Sequence, residues 1–208
     1  GAVYFSDTGI VTNCNFTNNK ATGGSIYGGA IWIYSGTVTN CSFTNHSANY
    51  GGAVRMYSGS VENCNFTDNT ATRDGGAIYF LNTGSVINCN FTNSSATGAG
   101  GAVYFYDNSE VTNCNFIYNV AKSSTLGGGA IFFMISGNVA KCNFTDNSAS
   151  FGGAVLFGGK GNISNSNFTN NTGAHDTNHY STAYDMALIA KYAMQYDEIK
   201  ETQNKIYY

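Results

Sequence analysis

Val11-Thr-Asn-Cys-Asn-Phe-Thr-Asn18 decides the fold, because variants of the same phrase return six more times along the 208 residues. Its Phe recurs at 16, 43, 66, 91, 116, 144 and 168, at intervals of 27, 23, 25, 25, 28 and 24 residues. Two residues before the first six stand Cys14, Cys41, Cys64, Cys89, Cys114 and Cys142, and Ser166 takes this place in the seventh. Three residues earlier again comes Val11, Val38, Val61, Val86, Val111, Val139 or Ile163. Self-similarity at a fixed period of this size is the signature of stacked structural repeats.

A second block, Gly-Gly-Ala-(Val/Ile)-x-apolar, occupies 28–33, 51–56, 75–80, 100–105, 128–133 and 152–157. Side chains alternate across a strand, so each column of the repeat belongs to one face. Val3, Ile31, Val54, Ile78, Val103, Ile131 and Val155 are all apolar, as are Phe5, Ile33, Met56, Phe80, Phe105, Phe133 and Phe157 two positions on. Both columns point inward. The column between them holds Tyr4, Trp32, Arg55, Tyr79, Tyr104, Phe132 and Leu156; an unpaired arginine is too costly to bury, so this column is expected to face solvent. The same alternation puts Cys and Phe of the first block inside, with Asn15, Thr17 and their equivalents outside.

A unit of two dozen residues cannot bury its own inner face, whereas stacked units bury a continuous column. The expected fold is therefore all-β: a right-handed parallel β-helix (β-solenoid) of about seven coils over residues 1–172, a rod roughly 30 Å long. Longer loops are expected before Gly28 and Gly128. A leucine-rich solenoid is excluded by the scarcity of Leu, present only at 81, 126, 156 and 188, and the calcium-binding glycine-rich nonapeptide is missing.

Charge narrows the function classes. Asp, Glu, Lys and Arg make up 10% of the chain, and the net charge is −3, so no basic surface for nucleic acid exists. No run of about 18 apolar residues is available to span a membrane as a helix. Because the chain opens at Gly1 inside a repeat, it is expected to be a fragment.

Gly-Gly-Ala-Ile at 28–31, 75–78 and 128–131, with Phe-x-x-Asn at 16–19, 66–69, 116–119, 144–147 and 168–171, resembles the paired motifs of polymorphic outer-membrane protein repeats and related adhesin-like surface proteins. Phe43 and Phe91 depart from the pattern, being followed by His46 and Ser94. The resemblance implies a cell-surface or extracellular location and a role in attachment.

After about Asn171 the composition changes, and eight of the 21 charged residues fall in the last 35 positions. Thr182-Ala-Tyr-Asp185 has capping-box character and opens an apolar run to Met194, so a C-terminal α-helix is expected from about 182 to 200. HDTNHYSTAYDMALIAKYAMQYDEI at 175–199 resembles a stretch of serine-type D-alanyl-D-alanine carboxypeptidases. Such enzymes act through Ser-x-x-Lys, Ser-x-Asn and Lys-Thr-Gly motifs. The first and last are missing from the 208 residues, and the fit of Ser47-Ala-Asn49 lies in a repeat loop. No catalytic residue of those enzymes can therefore be carried over onto the segment 173–208; it is expected to be either a recombination remnant or a cap over the open end of the solenoid.

Several constellations remain. The six cysteines form one inward column, for which buried free thiols, scattered disulfides and a metal site all fit the count; free thiols are the expectation. His175 and His179 have a zinc-like spacing without the accompanying glutamate. The Asn-x-Thr ladder spells glycosylation sequons and resembles the threonine rows of ice-binding solenoids, while a solvated β-surface explains it more simply. The candidate binding surface is a flat aromatic ladder of Trp32, Tyr34, Arg55, Tyr57, Tyr79, Tyr104 and Tyr106. The expected function is a non-enzymatic adhesin-like rod, without cofactor or metal, that presents this face to a glycan or to a host or cell-surface protein. A carbohydrate lyase or hydrolase is the alternative, against which stands the scattered placement of Asp68, Asp107, Glu110 and Asp146.

Overall fold

The structure, a computed structural model, describes residues 1–22 and 27–173. Every named strand pair among them is parallel, and no helix occurs. One coil shows the plan: strands Val54–Met56, Gly59–Glu62, Asn65–Thr67 and Thr70–Ala71 follow one another around the rod. Each pairs with its equivalents above and below, as Ile78 does with Val54 and Val103, and Phe91 with Phe66 and Phe116. The Asn-Phe-Thr strands make a seven-stranded sheet, so seven coils are present, and the short strands after them a six-stranded one. The remaining two ladders merge into a twelve-stranded sheet, because Val3–Thr12 and Ile31–Thr39 run through both. A typical coil thus has four strands, several of them only two or three residues long.

The recurring asparagines have separate duties. The first and third of the phrase, such as Asn63 and Asp68, or Asn88 and Asn93, adopt φ of 53–57° and turn the chain through a corner. Asparagine and aspartate tolerate this left-handed conformation better than other residues with a Cβ. The middle one faces outward, and Asn90, Asn115, Asn143 and Asn167 each donate to the Oδ1 of the residue one coil earlier, starting from Asn65, in a ladder of amide hydrogen bonds at 2.8–2.9 Å. In Gly51-Gly52-Ala53 the first glycine turns at φ +61°, and a Cβ on the second would strike the backbones of Gly76 and Thr70. Close approach of neighbouring coils therefore requires glycine there.

Inside, Phe43, Phe66, Phe91, Phe116 and Phe144 are sealed from solvent and stack at 4.8–5.0 Å with rings within 6° of parallel. Phe80, Phe105, Phe133 and Phe157 form a second stack at 4.9–5.1 Å. The cysteines lie in an inward column as free thiols, buried from Cys41 to Cys142 and half-buried at Cys14. From Cys41 onward each accepts the backbone N–H of the cysteine one coil earlier, at 3.4 Å for Cys41 to Cys64, and all six donate to a carbonyl two residues back, at 3.1 Å for Cys64 to Glu62. Ser166 reproduces both bonds, accepting from Cys142 N–H at 3.1 Å and donating to Ser164 at 2.9 Å. The Cys-to-Ser change in the seventh unit is therefore an isosteric one at a half-buried position.

The Asn of Phe-x-x-Asn points inward as well. Asn119 is fully buried; its Oδ1 accepts the Ser94 N–H at 3.0 Å, and its Nδ2 donates to Phe91 O at 3.1 Å. Asn147 and Asn171 repeat the arrangement. This inner ladder satisfies backbone groups at a corner where the sheet ladder is interrupted. His46 and Ser94 sit in the same column, and each is imperfect. His46 Nδ1 accepts the Asn19 N–H at 3.0 Å, but its Nε2, like Ser94 Oγ, is buried without a partner. Burial lowers the His46 pKa, although the Asn19 and Phe16 backbones favour the cation. The expected helix at 182–200, its capping role, and His175 and His179 all lie outside the described residues, as does part of the loop before Gly28.

Candidate recognition surface

The outer face of the Gly-Gly-Ala strands carries two parallel columns, two residues apart. The first runs Tyr4, Trp32, Arg55, Tyr79, Tyr104, Phe132 and Leu156, in register through backbone pairing. It faces away from the rod axis, as the alternation requires, but the middle of it is not exposed. Arg55, Tyr79 and Tyr104 retain only 8%, 8% and 7% exposure, and Phe132 is sealed. The segments that lead into each Gly-Gly turn fold back over this face, bringing Tyr50 and Ala99 against Tyr79, Tyr104 and Phe132 as a second apolar cluster. The expected solvent-facing ladder is thus corrected: between Arg55 and Phe132 its side chains hold the loops down.

Burial of Arg55 contradicts the premise that a guanidinium must reach open water. Aromatic faces offset part of the cost: its Cζ lies 3.8 Å from the Tyr27 ring centroid and 5.6 Å from that of Trp32. Desolvation lowers its pKa, opposed by the neighbouring Tyr27, Tyr79 and Tyr50. Burial also pushes the Tyr79 phenol up to about 12 and raises Tyr104, with Asp74 adding to both. Both phenols therefore keep their protons at neutral pH, as hydrogen-bond donors rather than bases.

The second column runs Tyr34, Tyr57, Leu81, Tyr106 and Met134, linked by backbone bonds from Tyr57, Leu81, Tyr106 and Met134 to the preceding coil. No loop covers it. Tyr34, Tyr106 and Met134 are 44–45% exposed and Ile135 46%, while Tyr57 and Leu81 are half-buried between them. Tyr34 and Tyr57 stack at 4.7 Å and 5°. At that spacing the two faces turn toward each other along the rod, so this pair offers solvent ring edges and hydroxyls rather than a flat platform. Beside it runs an open groove of about 450 Å³ lined by Thr83, Ser85, Asn108, Ser109 and Glu110. A cleft of about 370 Å³ lies between Tyr4, Tyr27, Trp32 and Thr22.

Of the seven expected binding residues, Tyr34, Tyr57 and Tyr106 share the exposed strip; Arg55, Tyr79 and Tyr104 lie in the covered column, and Trp32 is half-buried at its end. Leu81, Met134 and Ile135 extend the strip and were missed, although the alternation that located Tyr34 and Tyr106 places Leu81 and Met134 in the same column. Among the described residues no group of three or more His, Cys, Asp or Glu side chains is placed to hold a metal.

The family model for the right-handed β-helix region matches residues 1–173, a span that contains every described residue. The chain belongs to the right-handed β-helix family. That match gives the hand of the winding and accounts for all seven coils. A second family model, D-alanyl-D-alanine carboxypeptidase, matches residues 160–207. It begins within the last coil of the β-helix, and everything after residue 173 lies outside the described residues. No match was found among curated proteins or among solved structures.

Proposed function

We propose that this β-helix is a non-enzymatic, adhesin-like recognition rod of the cell surface or extracellular space, which docks a protein partner along the Tyr34–Tyr57–Leu81–Tyr106–Met134 strip. The observation that carries this reading is the strip itself. On an outer face where neighbouring aromatics are covered by loops, one column stays open, and it is built from Tyr, Met and Leu. Tyr and Met are enriched in the cores of protein interfaces. A pyranose stacks on a ring face, whereas stacked rings that present their edges favour apolar and hydroxyl contacts with a protein side-chain surface. Polymorphic outer-membrane repeats, which the Gly-Gly-Ala-Ile and Phe-x-x-Asn motifs resemble, fit the same role.

The test is binding of the purified protein to parallel arrays of extracellular proteins and of glycans, with Tyr34→Ser/Tyr57→Ser/Tyr106→Ser as comparison. The expected result is a protein signal that the triple variant loses while its unfolding midpoint stays close to the parent. A signal confined to glycans, or equal binding by the variant, overturns the reading.

A further inference from the structure

We propose that Arg55 is an anion-receiving site, and that the partner docking on the exposed strip delivers an acidic side chain whose carboxylate pairs with its guanidinium. The proposal rests on the reading of that strip as a protein-docking surface, and gives the partner a chemistry.

Three observations carry it. Arg55 is more than nine-tenths buried, yet no carboxylate pairs with it among the described residues, and its Nε has no hydrogen-bond partner. Ring faces attract the charge, as Tyr27 does at 3.8 Å, but they do not replace the acceptors that a buried guanidinium leaves behind in water.

Its column is otherwise Tyr4, Trp32, Tyr79, Tyr104, Phe132 and Leu156. An aromatic residue at 55 would continue the stacking seen between Tyr79 and Tyr104 at 4.8 Å. The fold therefore has no need of a cation at this position, and pays in desolvation for having one.

Finally, Arg55 and Tyr57 lie two residues apart on the same outward face, about 7 Å along the strand. A partner seated on Tyr57 reaches the guanidinium by moving aside the Tyr27 ring that lies over it at 3.8 Å. The hydroxyl-bearing Tyr27, 36% exposed, stands at the same place. Arginine presents a fork of donors matched to a carboxylate, and a pair formed on docking would satisfy what the free rod leaves open.

Trp32, the chain's single tryptophan, lies 5.6 Å from the guanidinium carbon and reports on it directly. The experiment titrates the whole protein with sodium acetate, poly-L-glutamate and polyglucuronate against sodium chloride at matched ionic strength. Trp32 fluorescence and the Arg55 ¹⁵Nε–H resonance are followed. Acetate and poly-L-glutamate are expected to give a saturable change that is lost in Arg55→Tyr and weakened in Arg55→Lys. Arg55→Tyr is also expected to unfold at a higher temperature than the parent, which shows that loss of response is not loss of fold. The Tyr34→Ser/Tyr106→Ser variant should keep the acetate response, so failure of the strip and failure of the anion site are read separately. No saturable change, or an equal change in Arg55→Tyr, overturns the site; a response to polyglucuronate without one to poly-L-glutamate overturns the acidic protein partner.

Discussion

The covered column through Arg55, Tyr79 and Tyr104 lies on the strands, and the open column through Tyr34, Tyr57 and Tyr106 lies at or just past their ends, on the same face and built from similar residue types. Only the loops tell them apart. Tyr79 and Tyr104 are 7–8% exposed beneath Tyr50 and Ala99, whereas Tyr34 and Tyr106 are 44–45% exposed. Strand alternation thus assigns a side chain to a face of the sheet but not to solvent. The same amino acid serves stability in one column and is free for recognition in the other.

The sharpest way to break this comparison is to truncate one column at a time. Tyr79→Ser and Tyr104→Ser should each destabilise the rod by about 3 kcal/mol, because each opens a cavity under the loops; denaturant unfolding measures it, and a cost below that of the open column would refute the distinction. An inner control is Asn119→Ala, which leaves the Ser94 N–H and Phe91 carbonyl unpaired and should cost about 2–3 kcal/mol. Its outward counterpart, Asn115→Ala, removes only solvent-facing rungs and should change stability by about 0.5 kcal/mol or less.

His46 extends the contrast to pH. Because burial lowers its folded pKa below the ordinary 6.5, the unfolded chain binds the proton more readily. The stability tied to neutral His46 is fully present above about pH 6.5 and is lost as the pH falls toward its folded value. His46→Asn, which restores the inner ladder, should flatten the unfolding midpoint between pH 7 and pH 5; an unchanged slope would place the acid sensitivity elsewhere. The smallest effect is expected in the open column, where Tyr34→Ser and Tyr106→Ser should each shift stability by about 0.5 kcal/mol or less while weakening partner binding.

Much of this is legible in the amino-acid sequence. The inward Val, Phe and Cys columns follow from alternation and repeat spacing, and the buried positions of Val61, Cys64 and Phe66 agree with them. Gly-Gly-Ala marked the second strand correctly. Less legible was the reason for three asparagines in one phrase: two occupy left-handed corners and one an outward ladder, and spacing alone does not separate backbone conformation from side-chain bonding. The inward Asn of Phe-x-x-Asn is visible in the sequence as a motif but not as a position. A polar residue in an inward column looks like a surface residue until the backbone groups it satisfies are located.

For this chain the sequence by itself determined the coil. Its period sets the number of turns, the two-residue alternation sets which columns meet in the core, and Asn and Gly are placed where a left-handed backbone is required. These are local properties, repeated seven times, and stacking makes them additive. Tertiary structure alone decided which outward residues meet solvent and how their rings stand. Coverage of the column depends on Tyr27 against Arg55 and Tyr50 against Tyr79, which come from different coils and reach the same face only after the rod has wound. Ring orientation in the open strip is set by the separation of neighbouring coils, a distance that no single repeat contains.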